Sequence, residues 1–160
     1  MLPIFSLPSP YGIGCFSRSA YDFVDWLKAA GQTYWQILPL GPTSYGDSPY
    51  QSFSTFAGNP YFISLEALIE EGVLTKKECD AADLGDKKQD IAYQKLYKNR
   101  YPLLRRAYER SRVTENPAYL RFVEENRWWL SDYALFMAVK SRFDGAAWSE
   151  WAEDIRLRYG

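Results

Sequence analysis

A stretch rich in aromatic rings holds the side chains best suited to bind a ligand. It runs from Thr33 to Phe62, and its second half sets aromatic rings among Gly, Pro, Ser and Asn: Tyr45, Tyr50, Phe53, Phe56 and Tyr61. Flat rings with polar rims bind sugars, bases or peptides, although they also pack in cores. A long loop without structure of its own is usually functional or disordered, and disordered segments are poor in aromatics. The composition therefore predicts an ordered, ring-lined binding loop.

Carboxylate pairs are the other groups in the chain that could do chemistry. Glu124–Glu125 and Glu150–Glu153–Asp154 are close enough in sequence to serve as acid and base, but both sets fall on predicted helices. Neighbouring carboxylates on a helix more often form a solvated face, and we favour that interpretation for both. The sequence has no His, which excludes His-based acid–base catalysis, Ser–His and Cys–His nucleophiles, and His metal sites.

Charge and composition argue against several partner classes. The formal net charge of the 160 residues is −1, so no global field attracts nucleic acid or an acidic membrane. Four arginines cluster, and we interpret them as a solvated helix face: Arg105, Arg106, Arg110 and Arg112. No segment approaches the 18 or so apolar residues that a membrane-spanning helix needs. Neither a nucleic acid nor a membrane is therefore expected as a partner.

No metal or cofactor is expected either. Gly12 and Gly14 lack the third glycine and the preceding strand of a dinucleotide-binding fingerprint, so we predict a tight turn there. Cys15 and Cys79 are far apart in sequence and form no CxxC motif, which is typical of reduced structural thiols in a cytoplasmic protein. The N-terminus has neither the basic nor the long apolar region of a signal peptide. The sequence thus predicts a cytoplasmic protein without cofactors.

The elements before the ring-lined loop predict one αβ unit. The uncharged apolar run Tyr34–Leu40 is typical of a buried parallel strand, and Gly41 follows it. Before it, residues from about Arg18 to Ala30 are predicted to form a helix that Ser17 caps and Gly31 ends. Large apolar residues surround that helix, so we expect it to be widely buried.

The rest of the chain is predicted to be helical. The predicted segments are Leu65 to Glu71, a helix capped by Thr75 that runs to Ala82, Asp90 to Arg110, Asn116 to Arg127, Asp132 to Arg142, and a last piece from Trp148. Pro102 should kink the third of these or split it near Arg100. One strand with five to seven helices leaves the strand without a ladder, so its partners lie either in apparent loops or outside this chain.

Three long motifs then connect the chain with a known family. The segments SLPSPYGIG, YWQILPLGPTSYGDSPYQSFSTFAGNPYFISL and RWWLSDYALFMAVK, with the closing AWSEW, resemble the 4-α-glucanotransferases of glycoside hydrolase family 77, the amylomaltases and disproportionating enzymes. The resemblance covers essentially the whole chain. It implies an α/β fold in which residues 1–62 start a (β/α)₈ barrel, with its first strand and substrate loop. Residues 63–160 would form a mainly helical inserted subdomain.

The resemblance also implies an activity. Members of this family move a segment of an α-1,4-glucan to the 4-hydroxyl of glucose or of another glucan. They use a carboxylate nucleophile, a carboxylic acid/base and a third carboxylate, as retaining glycosidases do. In the family these three carboxylates lie on later barrel strands, beyond the motifs present here. The resemblance therefore predicts no catalytic residue in this chain, which would be an N-terminal fragment, inactive without the remainder of the barrel.

Substrate contacts can be carried over residue by residue. Tyr50 in Asp47-Ser48-Pro49-Tyr50 matches the tyrosine that stacks on the sugar next to the cleaved bond, and Ser48 matches a position lining the same cleft. Tyr45 matches a tyrosine of a second glucan-binding site away from the chemistry. Asp47 belongs to the same set, as a brace of the loop. The expected substrate-binding residues are therefore Tyr50, Ser48, Tyr45 and Asp47.

Two other functions stay open at the level of sequence. The same rings could serve a stand-alone carbohydrate-binding or protein-interaction module without catalysis. Alternatively, the chain could be a helical domain that binds no ligand. Binding of maltooligosaccharides separates the first from the second, and glucan transfer by the full-length protein separates both from an enzyme.

Overall fold

The computed structural model describes residues 1–43, 46–85 and 90–159. Within these ranges the chain forms seven α-helices: α1 Arg18–Ala29, α2 Leu65–Glu70, α3 Lys76–Ala81, α4 Tyr93–Ser111, α5 Pro117–Glu125, α6 Arg127–Arg142 and α7 Glu153–Leu157. Four single 3₁₀ turns accompany them: Ile4–Ser6, Pro60–Phe62, Val113–Glu115 and Trp148–Glu150. The predicted helix-rich character is confirmed.

The predicted strand Tyr34–Leu40 does not form. Across the described residues no β-strand is assigned, and the segment is irregular. It is tied to the N-terminus, because Leu2 N–H donates to the Gln36 carbonyl at 3.1 Å and the Trp35 indole donates to the Leu2 carbonyl at 2.8 Å. The Tyr34 ring is 90% exposed. A strand needs a neighbouring strand to complete its ladder, and the described part of the chain supplies none.

Wide burial of α1 was also a wrong expectation. Only Ala20 of this helix is buried, whereas Tyr21 and Trp26 expose 67% and 61% of their surface. Phe23 is the exception among its large rings, because it packs at 4.8 Å between centroids against Trp35. The apolar residues of α1 therefore point mostly to a surface that the described residues leave uncovered.

The chain divides into two compact units, Met1–Val113 and Thr114–Gly160. In unit 1 the core is built on α4, whose Leu96, Leu103 and Ala107 are buried. Residues from the N-terminal loop, from α2 and α3 and from the turn between these two helices pack with them: Tyr11, Ile13, Leu65, Leu74 and Cys79. Residues on both sides of the predicted division between positions 62 and 63 thus share one core. The division into residues 1–62 and 63–160 refers to a complete barrel and stays a prediction.

Cap residues set the starts of three of the seven described α-helices, α2, α3 and α5, as the sequence predicts. Thr75 and Glu78 form a complete capping box at α3, and Ser64 caps α2 by accepting from Ala67 N–H at 3.1 Å. At α5, Asn116 accepts from Ala118 N–H at 2.8 Å. Ser17 occupies the N-cap position of α1, but its buried hydroxyl makes no capping bond. Its expected capping role is therefore wrong.

The helix that contains Pro102 is not split. It runs without a break as α4 from Tyr93 to Ser111, although Pro102 lies inside it. A proline removes one backbone donor and not the whole ladder, and here the packed face of Leu96, Leu103 and Ala107 extends on both sides of it. Tertiary packing thus holds one helix where local sequence predicted a possible split.

Unit 2 contains α5, α6 and α7. Its buried centre is Trp151, which stacks on Phe143 at 5.8 Å between centroids and lies 5.5 Å from the Phe136 ring. The Trp151 indole and the Lys140 ammonium both donate to the Ala146 carbonyl, at 3.2 Å each. Asp144 and Gly145 have positive φ and follow α6, so the predicted helix end at this pair is confirmed. In the ranges the structure covers, no helix is long and apolar enough to span a membrane.

Candidate functional site

The base of the aromatic loop is closed by backbone contacts. Asn59 N–H donates to the Leu40 carbonyl at 2.8 Å, and Thr43 forms an isolated antiparallel bridge with Ser52. Gly41 fits only because it has no side chain, since a Cβ there would lie 2.6 Å from the Ser52 hydroxyl oxygen. The two ends of the loop are therefore joined by backbone contacts, and a side chain at position 41 would displace the Ser52 hydroxyl.

The tip of the loop is a turn over Gly46 to Gln51. Gln51 N–H donates to the Ser48 carbonyl at 3.1 Å, and Tyr50 N–H lies 3.4 Å from the Ser48 hydroxyl oxygen. Asp47 has φ of 54°, in the left-handed region that few residues other than glycine adopt. Such conformations concentrate at functional sites, where the surrounding structure maintains them. Ser48 therefore fixes the backbone from which the Tyr50 side chain projects.

Serine hydroxyls organise the second half of the loop. Ser52 Oγ donates to the Ser54 carbonyl at 2.7 Å, and Ser54 Oγ accepts from Phe56 N–H and Ala57 N–H at 3.2 and 3.0 Å. Local bonds of this kind satisfy backbone groups without helix or sheet. They hold the backbone of residues 52–57 in one conformation without regular secondary structure.

The rings of the loop fall into two sets. Tyr50 exposes 73% of its surface and Phe56 exposes 57%, whereas Tyr61 and Phe62 are buried. The Tyr61 ring packs against Tyr93 and Tyr101 of α4, with centroid distances of 6.2 and 5.7 Å. The buried rings thus fix the C-terminal end of the loop on α4. The exposed rings are the ones available to a ligand.

Asp47 supplies a partly dehydrated carboxylate near the Tyr61 and Tyr93 side chains. Burial raises the pKa of its carboxyl above the usual value. Its charge is felt by two neighbours, because after burial it contributes to raising the pKa of Tyr93 and, with Tyr101, that of Tyr61. No hydrogen bond joins the Asp47 carboxylate to any other described residue. Its role as a brace of the loop stays a prediction.

The structure therefore brings three of the four expected substrate-binding residues together. Asp47, Ser48 and Tyr50 share one turn. The fourth, Tyr45, lies outside the described residues. No catalytic residue was predicted in this chain, and the carboxylates set aside as surface groups, Glu124–Glu125 and Glu150–Glu153–Asp154, are exposed on or beside helices. Among the described residues no group of three or more carboxylate, Cys or His side chains could hold a metal.

Arg100 is the residue that sequence reasoning missed. It is fully buried at 0% exposure in α4, and its guanidinium donates to the Tyr11 carbonyl at 3.2 Å and to the Ile63 carbonyl at 2.7 Å. In the sequence it stands in a charged run, Lys98-Asn99-Arg100, that is typical of a solvated helix face. Only its spacing from Leu96 and Leu103, which places it on their face of the helix, signals burial.

Comparisons with known proteins agree along the whole chain. The sequence profile of the family described as 4-alpha-glucanotransferase matches residues 2–159. A 4-alpha-glucanotransferase of Clostridium butyricum is 51% identical over 155 residues, which are 97% of this chain and 32% of that protein. A 4-alpha-glucanotransferase of Streptococcus pneumoniae TIGR4 is 49% identical over 160 residues, which are 99% of this chain and 32% of that protein.

A solved structure matches equally well. The amylomaltase from Streptococcus agalactiae in complex with acarbose superposes with a TM-score of 0.89 at 39% identity, covering 99% of this chain and 32% of that one. The chain thus spans 32% of the length of these relatives.

Proposed function

This chain belongs to the 4-alpha-glucanotransferase family, glycoside hydrolase family 77, and we propose that the full-length protein containing it moves α-1,4-glucan segments to the 4-hydroxyl of glucose or of another glucan. The profile match over residues 2–159 is what assigns the family. Within the chain, the observation that supports the proposal most directly is the exposed ring of Tyr50 on a turn fixed by Ser48.

Tyr50 is proposed to stack on the sugar beside the scissile bond. A glucose ring has an apolar face and a rim of hydroxyls, so an exposed phenol ring matches the face. Ser48 and Asp47 stand on the same turn, and their oxygens can bind the rim. Tyr45, two residues before Asp47, is proposed to serve a second glucan site away from the chemistry. This chain would thus supply binding and orientation.

The reacting groups are proposed to come from the remainder of the protein. Retaining transfer needs a nucleophilic carboxylate and a carboxylic acid/base a few ångströms apart, and an acceptor sugar must then reach the glycosyl-enzyme before water does. A ring-lined loop supports that order of events by binding sugar and displacing water from the cleft. The exposed carboxylates of this chain are not proposed to act in this step.

The surfaces left uncovered in unit 1 support a barrel as the complete fold. The segment Tyr34–Leu40 has no strand neighbour among the described residues, and α1 exposes its large apolar side chains. In a (β/α)₈ barrel a first strand pairs with two other strands, and the helices form an outer ring. We propose that Tyr34–Leu40 becomes the first barrel strand when the remaining strands are present.

Disproportionation of maltotriose tests the proposed function. The full-length protein should convert maltotriose into glucose and longer glucans, with little net gain in reducing ends, because transfer conserves glycosidic bonds. Net hydrolysis without longer products would assign a glycosidase instead. Binding of acarbose or maltotriose without any turnover would favour a carbohydrate-binding module, and the absence of both would favour a domain without a glucan ligand.

A further inference from the structure

Arg100 of α4 joins three separate parts of unit 1. One guanidinium nitrogen donates to the Tyr11 carbonyl in the N-terminal loop, and the other donates to the Ile63 carbonyl directly after the 3₁₀ turn Pro60–Phe62. The side chain has no exposed surface. Because a guanidinium is planar and rigid, these two bonds set the distance and the angle between the two loops.

Burying this charge is unfavourable by itself. Within the described residues Arg100 makes no ion pair with a carboxylate, and its Nε–H has no hydrogen-bond acceptor. Burial lowers the pKa of the guanidinium, while the nearby Cys15 thiol acts in the opposite direction. A buried charge without a counter-ion destabilises a fold compared with an apolar side chain of similar size. Arg100 is thus a poor choice for stability alone.

The contact at Ile63 leads directly to the base of the aromatic loop. Ile63 N–H donates to the Pro60 carbonyl, and Asn59 accepts from Tyr61 N–H at 3.0 Å. Asn59 N–H in turn bonds the Leu40 carbonyl, which is the contact that closes the loop. The backbone of residues 59–63, held by these hydrogen bonds, therefore connects the Arg100 guanidinium with the neck of the loop that carries Tyr50.

We propose that Arg100 is a positioning residue for glucan transfer, which orients the Tyr50 loop by fixing the carbonyl of Ile63 against that of Tyr11. This inference rests on the proposed function. It assigns to α4 a task in the reaction in addition to its place in the core. The substitution Arg100→Lys keeps the charge and loses one of the two carbonyl contacts, so it should let the loop shift while the core persists.

Arg110 offers a matched control on the same helix. Like Arg100, it donates to a backbone carbonyl, that of Val73 at 3.2 Å, but its other bonds go to Glu78 of α3 and not toward the loop. In the full-length protein, Arg100→Lys should lower kcat/KM for maltotriose by about tenfold to a hundredfold, the scale expected for an ångström of misplacement. Arg110→Lys should leave kcat/KM unchanged when the rate is expressed per folded molecule of that variant.

A double-mutant cycle separates positioning from a general loss of stability. If Arg100 acts through Tyr50, adding Arg100→Lys to Tyr50→Ala should reduce kcat/KM little beyond the single Tyr50→Ala change. Full additivity of the two effects, or an equal loss in Arg110→Lys, would overturn the inference. If Arg100→Lys gives no folded protein, Arg100→Gln, which keeps amide donors but cannot bind both carbonyls, replaces it in the cycle, and wild-type kinetics for that variant would overturn the inference as well.

The same experiment keeps the two proposals apart. If the wild type is active and the losses in kcat/KM of the two single variants add in the double variant, the role of Arg100 is refuted and the proposed function is retained. An inactive wild type removes the proposed function, and the inference falls with it.

Discussion

Tyr50 is the side chain whose loss should be felt most strongly in the reaction. In the full-length protein, Tyr50→Ala removes a ring proposed to stack on the reacting sugar, and that contact should strengthen as the sugar flattens in the transition state. Stacking on an aromatic ring is worth about 1–3 kcal/mol for nucleic-acid bases, so we expect kcat to fall by roughly ten- to a hundredfold.

Tyr45 should respond differently to the same substitution. Tyr45→Ala is expected to keep kcat on maltotriose and to change affinity for long glucans or the size of products, because its proposed site contacts only remote parts of the chain. Kinetics on maltotriose and on amylose measure both variants. A wild-type rate for Tyr50→Ala on maltotriose together with a large loss for Tyr45→Ala would show that the two assignments are reversed.

Substitution of Asp47 should change stability and glucan affinity in opposite directions. Its folded pKa is raised above the usual 3.8 by burial, so its charged form is disfavoured in the fold. Asp47→Asn removes that charge and keeps a residue that accepts positive φ. We therefore expect a higher Tm at neutral pH, a gain that fades as pH falls through the raised folded pKa and is lost by about pH 3.8, and lower glucan affinity.

Thermal unfolding over that pH range, with the exposed Asp25→Asn as control, measures the effect. A lower Tm for Asp47→Asn at neutral pH would instead support the carboxylate as a brace of the loop.

Residue types predicted the site only in part. The resemblance to the family, and not residue types by themselves, indicated Asp47-Ser48-Pro49-Tyr50, whereas Asp-Ser-Pro predicted only a turn. Arg100 left almost no local signal, since its burial depends on Tyr11 and Ile63, which are 89 and 37 residues away. Contacts over such separations follow from the tertiary fold and not from any window of sequence.

At the scale of elements, Glu78 connects α3 with α4. Its carboxylate accepts from Arg110 and Arg106 of α4 as well as from Thr75 in the capping box. These bonds, those of Arg110 and Thr75 foremost, lower its pKa from a usual 4.5 to about 2. A carboxyl with a depressed folded pKa stabilises the protein above its unfolded pKa, and that contribution is lost as pH falls.

Glu78→Gln should therefore lower Tm at neutral pH, and the difference from wild type should shrink between about pH 4.5 and pH 2. Unfolding curves at several pH values measure this, with Glu70→Gln on α2 as the control. A pH-independent difference would mean that shape and not charge explains the effect.

The elements also show what a sequence can predict. Helix starts at Thr75 and Asn116 were predictable because the capping residues act within a few positions. The strand Tyr34–Leu40 was not, since a strand exists only with a partner, and the described chain holds none. The predicted burial of α1 was wrong for the same reason. Tyr21 and Trp26 identify an apolar face, but the sequence does not show what covers that face.

The molecule as a whole combines a packed core with much uncovered apolar surface. Unit 1 has a core around α4, yet large rings remain exposed on α1 and on the segment after it: Tyr21, Trp26 and Tyr34. We expect the isolated 160-residue chain to bind an apolar dye and to associate with itself. A dye-negative monomer with a sharp cooperative melt would show that these residues cover their own surface.

The isolated chain should also fail to disproportionate maltotriose. On the proposed function, the nucleophile and the acid/base belong to the remainder of the protein, and removing such groups lowers rates by many orders of magnitude. Glucose and longer glucans formed by the purified chain, above a mock preparation, would place reacting groups within these 160 residues.

The two hydrogen bonds of Arg100 join parts of the chain that are synthesised at different times. Arg100 follows Tyr11 by 89 residues, so at a translation rate of roughly 5–20 residues per second its side chain appears about 4–18 s later. During that interval the backbone groups of Leu40 and Asn59 are already present, but the donor for the Tyr11 and Ile63 carbonyls does not yet exist. The loop that carries Tyr50 is therefore synthesised before the arginine that fixes it, and a pause in translation before the Arg100 codon would prolong the interval without that contact.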